Sequence, residues 1–502
     1  MTRSRSRSRT SPLAVAALLV TLQATACFGA PSGGDGIDAG DGGQLSVGLA
    51  FPPAQGLSPY GDDAVLLSRL GVVEPVAHLD GAGEPVPALA EDWERVADRT
   101  WRFTLRDGVT FHDSTPLTAE HAANSLLRAS EASPIPRALK GIELSVSVVD
   151  DLILEVSTGE PDPILPRRLS SPNLAILAPS AYRGERVDPV GAGTGPFVID
   201  EFDGVERATL VAHEEHWRGR PALDGIEARF VPDGATRAAG VRAGELDVAD
   251  ALPVAQAQAL GEAELVEVQL PRVVSLYPNT ADGPMADAGL RAAVRQAVDA
   301  EELTSSIFEG TADPAAGLFG DASPWAADRE LPERTRPGSA DGEELTLATY
   351  SDRAELPELA TAIGDRLRRE GFEVSQVVRE YSELEVDLLD GAFDLVIGSR
   401  SYLLDTGDPV SYLASDFTCA GSYNLSRVCD SDVDAEVAEA ATREAVDERQ
   451  DAALRVERAI LGDDLIVPIA HERARIGVAD GVTGIAEDPH ERLLVTGETT
   501  LE

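Results

Sequence analysis

The chain has 502 residues, 43% of them hydrophobic and 5% aromatic, which is too long for one core, so two or three domains are expected. Its formal charge of −45 repels nucleic acid and anionic lipid headgroups, and so excludes both as partners of its surface.

The first 26 residues read as an export signal. Arg3, Arg5, Arg7 and Arg9 form a basic region, residues 13–22 an apolar one, and Ala24-Thr25-Ala26 a small-residue cleavage site before Cys27. The apolar run is too short for a stable transmembrane helix, and the arginines alternate with serine, so no twin-Arg signal is present. Small residues followed by cysteine resemble a bacterial lipobox, which implies lipidation of Cys27. Ala24 stands where Leu is favoured there, which leaves plain secretion as the alternative. Residues 27–43 are rich in Gly and Asp and read as a flexible tether. The two other cysteines, Cys419 and Cys429, form a C-x9-C pair, outside the cytosol most simply a disulfide. A metal reading lacks a CxxC or a neighbouring His to supply further ligands.

In chain order, residues 44–51 read as a strand ended by Pro52-Pro53, and 62–70 as a short amphipathic helix. Residues 100–105 alternate with period two. Thr118 caps a helix to Arg128, and 142–148 and 152–156 flank a hairpin turn. GAGTGPF (191–197) has the wrong spacing for a phosphate loop and reads as a tight turn before a strand. Strands at 206–212 and 226–231 follow, then a helix capped by Asp233 and running to Ala243. Two extended pieces at 266–270 and 273–277 precede a helix at 287–297. The Pro/Gly/Asp-rich stretch 310–342, with Trp325 inside it, has the length of a functional or disordered loop. From 345 the pattern is regular: strands at 345–349, 372–378 and 393–397 alternate with helices at 356–369 and 381–389, a βαβαβ unit whose right-handed crossovers make the strands parallel. Helices at 433–441 and 447–461 and a strand at 465–469 follow.

The third of those strands carries Leu395, Val396 and Ile397 without alternation, as a strand buried on both faces does. Beyond it lies a polar loop with Arg400, Tyr402, Asp405, Asp408 and Pro409. Open α/β sheets bind ligands at the carboxyl ends of their strands, so this loop is expected to form one wall of a ligand cleft.

From Val73 onward the chain resembles the family 5 solute-binding proteins of ABC importers, the peptide and nickel group. EPVPALAEDWE (84–94), TWRFTLRDGVTFHDSTPLTAEHAANSL (100–126), GAGTGPF (191–197), HEEHWRGRPALDGIEARFVPD (213–233) and GELD (244–247) stand in the family's order. RAAVRQAVD (291–299), GDPVSYL (407–413) and YNLSRVCDSDVD (423–434) continue it. Ser114 stands where the family usually has Gly. The resemblance implies an α/β, two-lobed periplasmic-binding-protein-like fold of type II, with mixed sheets flanked by helices and an extra subdomain in lobe I. It places lobe I at 44–271 with the subdomain near 61–185, lobe II at 272–476, and a return to lobe I over 477–502. The expected crossings lie near residues 270–274 and 475–478.

The resemblance further implies a monomeric receptor that closes over a peptide or another small solute and delivers it to an ABC permease. It would work at the outer face of the cytoplasmic membrane through its lipid anchor, with no cofactor. Peptide-binding members hold the ligand's α-amino group with an Asp three residues after an aromatic. Tyr402 and Asp405, followed by Asp408-Pro409, match that pattern, and a carboxylate suits an ammonium in a water-poor cleft. Asp408 would contact ligand or cap the next helix; Arg400 would pair with a ligand carboxylate or with a neighbouring acid. Tyr60, Tyr277, Tyr412 and Trp325 are candidate cleft aromatics, with ordinary packing as the alternative for each. The nickel branch uses a His after D-P-x-x-F-L and an Arg before Ala-Pro, and neither is present here, at 413–423 or at 174–177. His213 and His216 lack HExxH spacing and read as surface residues. Other ligands of the same scaffold are a metal chelate, an opine-like amine or an oligosaccharide. No GxSxG, HExxH or triad spacing supports an exported hydrolase.

Overall fold

A computed structural model describes residues 42–184, 186–260, 265–403 and 406–502. The signal segment, Cys27, nearly all of the tether and Asp405 lie outside the described residues.

The apolar runs assemble into one eleven-stranded sheet. Its order is Glu373–Arg379, Glu344–Tyr350, Leu395–Ser401, Leu265–Pro278, Val467–Val478, Val248–Ala249, Gln44–Leu49, Gly225–Phe230, Arg207–Ala212 and Phe197–Asp203, with Ala312–Pro314 paired off this path to Val467–Val478. Strand Glu344–Tyr350 is parallel to both Glu373–Arg379 and Leu395–Ser401, as the βαβαβ pattern requires. One crossover therefore goes to each side of Glu344–Tyr350, and the carboxyl ends of Glu344–Tyr350 and Leu395–Ser401 flank a topological switch point.

Two large apolar clusters sit on this sheet, with a smaller one of residues from Ala238 to Leu260 beside them. One is built from residues 45–230 together with Val248, Ile476, Val478, Val482, Leu494 and Val495. The other runs from Val274 to Ala470 and holds the βαβαβ unit. The 14-residue strand Leu265–Pro278 and the 12-residue strand Val467–Val478 pair antiparallel and run from one cluster to the other. Their register shifts between Gln269 and Val273, opposite Arg473 and His471. Pro271 lies inside that irregularity, where a residue with no N–H to donate is tolerated; its carbonyl accepts the Tyr402 N–H at 2.9 Å. The pieces expected at 266–270 and 273–277 are thus one strand, kinked at Pro271.

A separate four-stranded antiparallel sheet, ordered Ala90–Ala97, Thr100–Leu105, Ile153–Thr158 and Leu144–Asp150, carries helix Ala119–Ser130 against it. Thr118 caps that helix by accepting the His121 N–H at 3.3 Å. Ser114 takes a left-handed φ of 64°, so the turn keeps a glycine-type conformation although its residue is serine.

Three readings need correction. Strand Leu395–Ser401 continues past Gly398, so Arg400 sits on the strand and not in the loop, because its pairing with Leu265–Pro278 extends to Arg272↔Ser401. The stretch 310–342 is packed: it contains strand Ala312–Pro314 and buries Leu318 and Phe319 completely. His213 and His216 are buried, at 9% and 6% exposure. The reason lies in the GAGTGPF turn. A Cβ at Gly193 or Gly195 would stand 2.1 Å from the Val72 carbonyl oxygen or 2.3 Å from that of Gly71, so only glycine lets the turn press this close to residues 71–72. His112 and His213 then reach the Gly195 carbonyl at 3.0 and 3.2 Å. Their rings stack edge to face at 5.0 Å, with His216 next in line at 6.1 Å. Beside them the buried Glu74 carboxylate accepts from Thr194 Oγ1 at 2.9 Å and Trp217 Nε1 at 3.0 Å.

Candidate functional site

The loop after Leu395–Ser401 runs against the other half of the molecule. Gly407 adopts φ 68°, and a Cβ there would meet Leu79 Cδ1 at 2.6 Å. Leu79 ends the small hairpin Ala77–Leu79/Pro85–Pro87, which lies outside the second cluster. The loop therefore lies at the junction of the two halves.

The aromatic residues and Arg400 expected in the site fall into three groups. Tyr402, Tyr412 and Trp325 surround Phe319, with ring centroids 5.1, 6.3 and 4.8 Å from it. Tyr402 is 2% exposed, and its hydroxyl accepts the Gly320 N–H at 3.2 Å and meets Ser323 Oγ at 3.2 Å. Arg400, Tyr277 and Tyr412 form a second group. Arg400 binds both oxygens of Asp416, at 2.8 and 3.0 Å, and its guanidinium carbon lies 5.7 Å from the Tyr412 ring centroid and 4.8 Å from that of Tyr423. The hydroxyls of Tyr277 and Tyr412 are buried without a hydrogen-bond partner among the described residues. Burial, with Asp416 adding to it, holds both phenols well above their ordinary pKa. Tyr60 stands apart, half-buried against the first cluster beside Tyr182.

Asp408 is fully buried. Its oxygens take Arg449 Nε at 2.8 Å and Nη2 at 2.6 Å, and its Oδ2 also caps helix Pro409–Phe417 by accepting the Ser411 N–H at 2.8 Å. Of the two roles weighed for Asp408, helix capping is the one its contacts display. For Arg400 the neighbouring acid is Asp416.

Sequence reasoning missed the other strand end at the switch point. Arg353, three residues beyond Tyr350, bonds Glu472 through Nη1 at 3.0 Å and keeps 30% of its side chain accessible. Ser399 on the adjacent strand donates to the other Glu472 oxygen, and its N–H meets the Tyr350 hydroxyl at 2.8 Å. Arg272 pairs with Glu491 at 2.6 Å and Glu491 is 26% accessible. Burial would raise the Glu472 and Glu491 carboxyls; Arg353 and Arg272 more than offset that and hold both below the usual range. Applying the switch-point rule to the strand at 345–349, as to the one at 393–397, would have found Arg353. A guanidinium bonded to one carboxylate on a side chain that stays partly accessible suits a second carboxylate, which it can grip through two parallel bonds.

A cavity of about 450 Å³ lies elsewhere, between residues 141–143, 158–164 and Arg168 on one side and Val410, Ser411, Ala414, Ala441 and Arg449 on the other. Its basic groups are taken: Arg168 by Asp162 and Arg449 by Asp408. The switch point, with its accessible cation, is the better candidate for ligand recognition. Among the described residues no cluster of His, Cys, Asp or Glu has metal-holding geometry, and no helix is long and apolar enough to cross a membrane. Cys419 and Cys429 are joined as a disulfide.

Residues 84–424 match the model of the bacterial extracellular solute-binding proteins, family 5 Middle. A probable di/tripeptide-binding protein 5 of Pseudomonas aeruginosa is 26% identical, over 87% of this chain and 92% of its own. The nickel-binding protein NikA of Staphylococcus aureus is 23% identical, over 78% and 80%. Among solved structures, NikA of Brucella suis in complex with Fe(III)-EDTA superposes with a TM-score of 0.81 at 21% identity, covering 91% of this chain and 100% of that one. That likeness shows the fold, a two-lobed one in which mixed sheets are flanked by helices. With the family matched over more than half of its length, this chain belongs to the family 5 extracellular solute-binding proteins, which are receptors of ABC importers and not enzymes.

Proposed function

We propose that this receptor binds short peptides, gripping the peptide carboxylate with Arg353 and the α-ammonium with Asp405. The observation that carries the reading is the partly accessible Arg353 side chain at the switch point, next to the strand whose loop bears Asp405. A zwitterionic ligand needs one cation and one carboxylate within its own length of each other, and charge-assisted bonds to both survive in a cleft that excludes water. The similarity to a di/tripeptide-binding protein over most of both chains supports the same ligand class. We place lobe I at 44–271 and 477–502 and lobe II at 272–476, with the cleft between them. The mature protein is a monomer anchored by a lipid on Cys27, and it hands its ligand to the membrane subunits of an ABC permease.

Native mass spectrometry of protein purified without refolding tests the ligand class. Peptides of mixed sequence support it; a bound metal chelate, the alternative within this family, overturns it. For the residues, Asp405→Ala and Arg353→Lys should each weaken peptide affinity about tenfold at an unchanged ligand-free melting temperature. Lysine keeps a positive charge beside Glu472 but loses the two-pronged grip. Unchanged affinity removes the residue from the site.

A further inference from the structure

Two side chains of the first half, one on the small four-stranded sheet and one in the turn Arg137–Leu139, reach residues of the half that holds the second apolar cluster. Arg95, on strand Ala90–Ala97, pairs with Glu444, in the connection between helices Ser431–Ala441 and Val446–Gly462. Arg137 lies in the helical turn Arg137–Leu139, whose Ala138 and Leu139 are buried in the first cluster. Its guanidinium carbon stands 5.5 Å from the centroid of the Tyr423 ring. Arg137 is exposed and has no ion pair among the described residues, so the tyrosine face is what its charge rests on.

Tyr423 is held firmly on its own side. Its N–H donates to the Ser415 carbonyl at 3.1 Å, its hydroxyl meets that of Tyr381 at 2.8 Å, and Arg400 lies 4.8 Å from its ring centroid. The 419–429 disulfide closes the loop that presents it, and inside that loop the Asn424 side chain bonds the backbone of Thr418 and Val428. One aromatic ring thus connects a cation of the first half with the strand that leads into the candidate cleft wall.

The same two halves also face each other across the cavity of about 450 Å³, with Glu143 and Glu160 on one side and Val410, Ala414 and Ala441 on the other. Permanently fused faces pack to interior density. These two faces leave a void between them, as a contact that can be released does.

We infer that the small sheet and its flanking turn form a clasp that holds the lobes closed, and that Tyr423 is the positioning residue through which the clasp reaches the cleft wall. The inference rests on the two-lobe receptor reading. An exposed ion pair and an exposed cation–π contact each shift an open–closed equilibrium by about two- to fivefold, enough to bias closure and too little to trap a ligand.

The test uses ligand-free full-length protein with a donor and an acceptor dye on unnatural amino acids at Val149 and Val386. These are exposed positions, the first in the small sheet and the second in the second half, and this choice leaves the native cysteines untouched. Arg95→Glu and Arg137→Ala should each raise the open fraction by about two- to fivefold. The exchange Arg95→Glu/Glu444→Arg should restore it, and Arg137→Lys and Tyr423→Phe should stay near wild type. An open fraction unmoved by Arg95→Glu and Arg137→Ala, or a charge exchange that fails to restore it, overturns the clasp. Trialanine titrated into the wild type separates the two readings. Failure to bind it counts against a peptide ligand, while the clasp is decided by the ligand-free distances.

Discussion

Replacing Asp408 with alanine should cost about 5 kcal/mol of folding stability, because it leaves the Arg449 guanidinium buried without a counter-charge and removes a helix cap. Asp408 is 0% and Arg449 3% exposed, and two bonds of 2.8 and 2.6 Å join them. Breaking a buried pair by removing one partner costs about 3–5 kcal/mol, and losing the cap on helix Pro409–Phe417 adds about 1 kcal/mol. Arg449 also donates to the carbonyls of Ala441 at 3.0 Å and Arg443 at 2.9 Å, so its displacement would loosen the end of helix Ser431–Ala441 as well. Asp408→Asn keeps the cap and the shape but loses the charge, and should cost about half as much. Urea unfolding followed by circular dichroism reads both variants, with peptide affinity measured on the same preparations. Burial alone would raise the Asp408 carboxyl; Arg449 and Ser411 more than offset it and hold it below the usual range. Its stabilisation is therefore complete above about pH 4, the unfolded Asp value, and is lost as pH falls through the lower folded value. A stability within about 1 kcal/mol of wild type, joined to a fall in affinity, would refute the structural role and make Asp408 a ligand contact.

Burial lowers the His112 pKa to about 4, with His213, His216, Glu74 and Asp113 facing it. The unfolded chain binds this proton near pH 6.5 and the folded one resists it, so stability should fall by up to about 3 kcal/mol between pH 6.5 and 4. His112→Asn should remove its share of that slope in denaturant titrations run across the range, leaving the share of His471, which burial also lowers to about 4; an unchanged slope would assign the acid sensitivity elsewhere. Gly195→Ala places a methyl 2.3 Å from the Gly71 carbonyl oxygen and should destabilise by more than about 3 kcal/mol, or prevent accumulation of folded protein. A melting temperature equal to wild type would show that the turn has room to move.

Much of the architecture was legible in local pattern. The helix capped by Asp233 spans Gly234–Ala243, helix Tyr381–Leu389 and strand Thr100–Leu105 lie within their expected bounds, and the βαβαβ unit is parallel. These features depend on hydrophobic period and capping chemistry, which act over a few residues. The site was legible only in part. The motif Tyr402–Pro409 located the loop, but nothing in it distinguishes an Asp that faces a ligand from one that faces Arg449, 41 residues away. Arg400 read as a loop cation because the strand's length is set by pairing with Leu265–Pro278, a partner more than a hundred residues earlier.

The amino-acid sequence by itself determined the family, the order of the elements and the absence of catalytic spacings, since each resides in contiguous residues. The tertiary structure decided which charges remain available. Asp408 and Arg400 are neutralised by Arg449 and Asp416, while Arg353 keeps an accessible face. Whether a charge can bind a ligand depends on what burial places opposite it, and those partners come from distant parts of the chain.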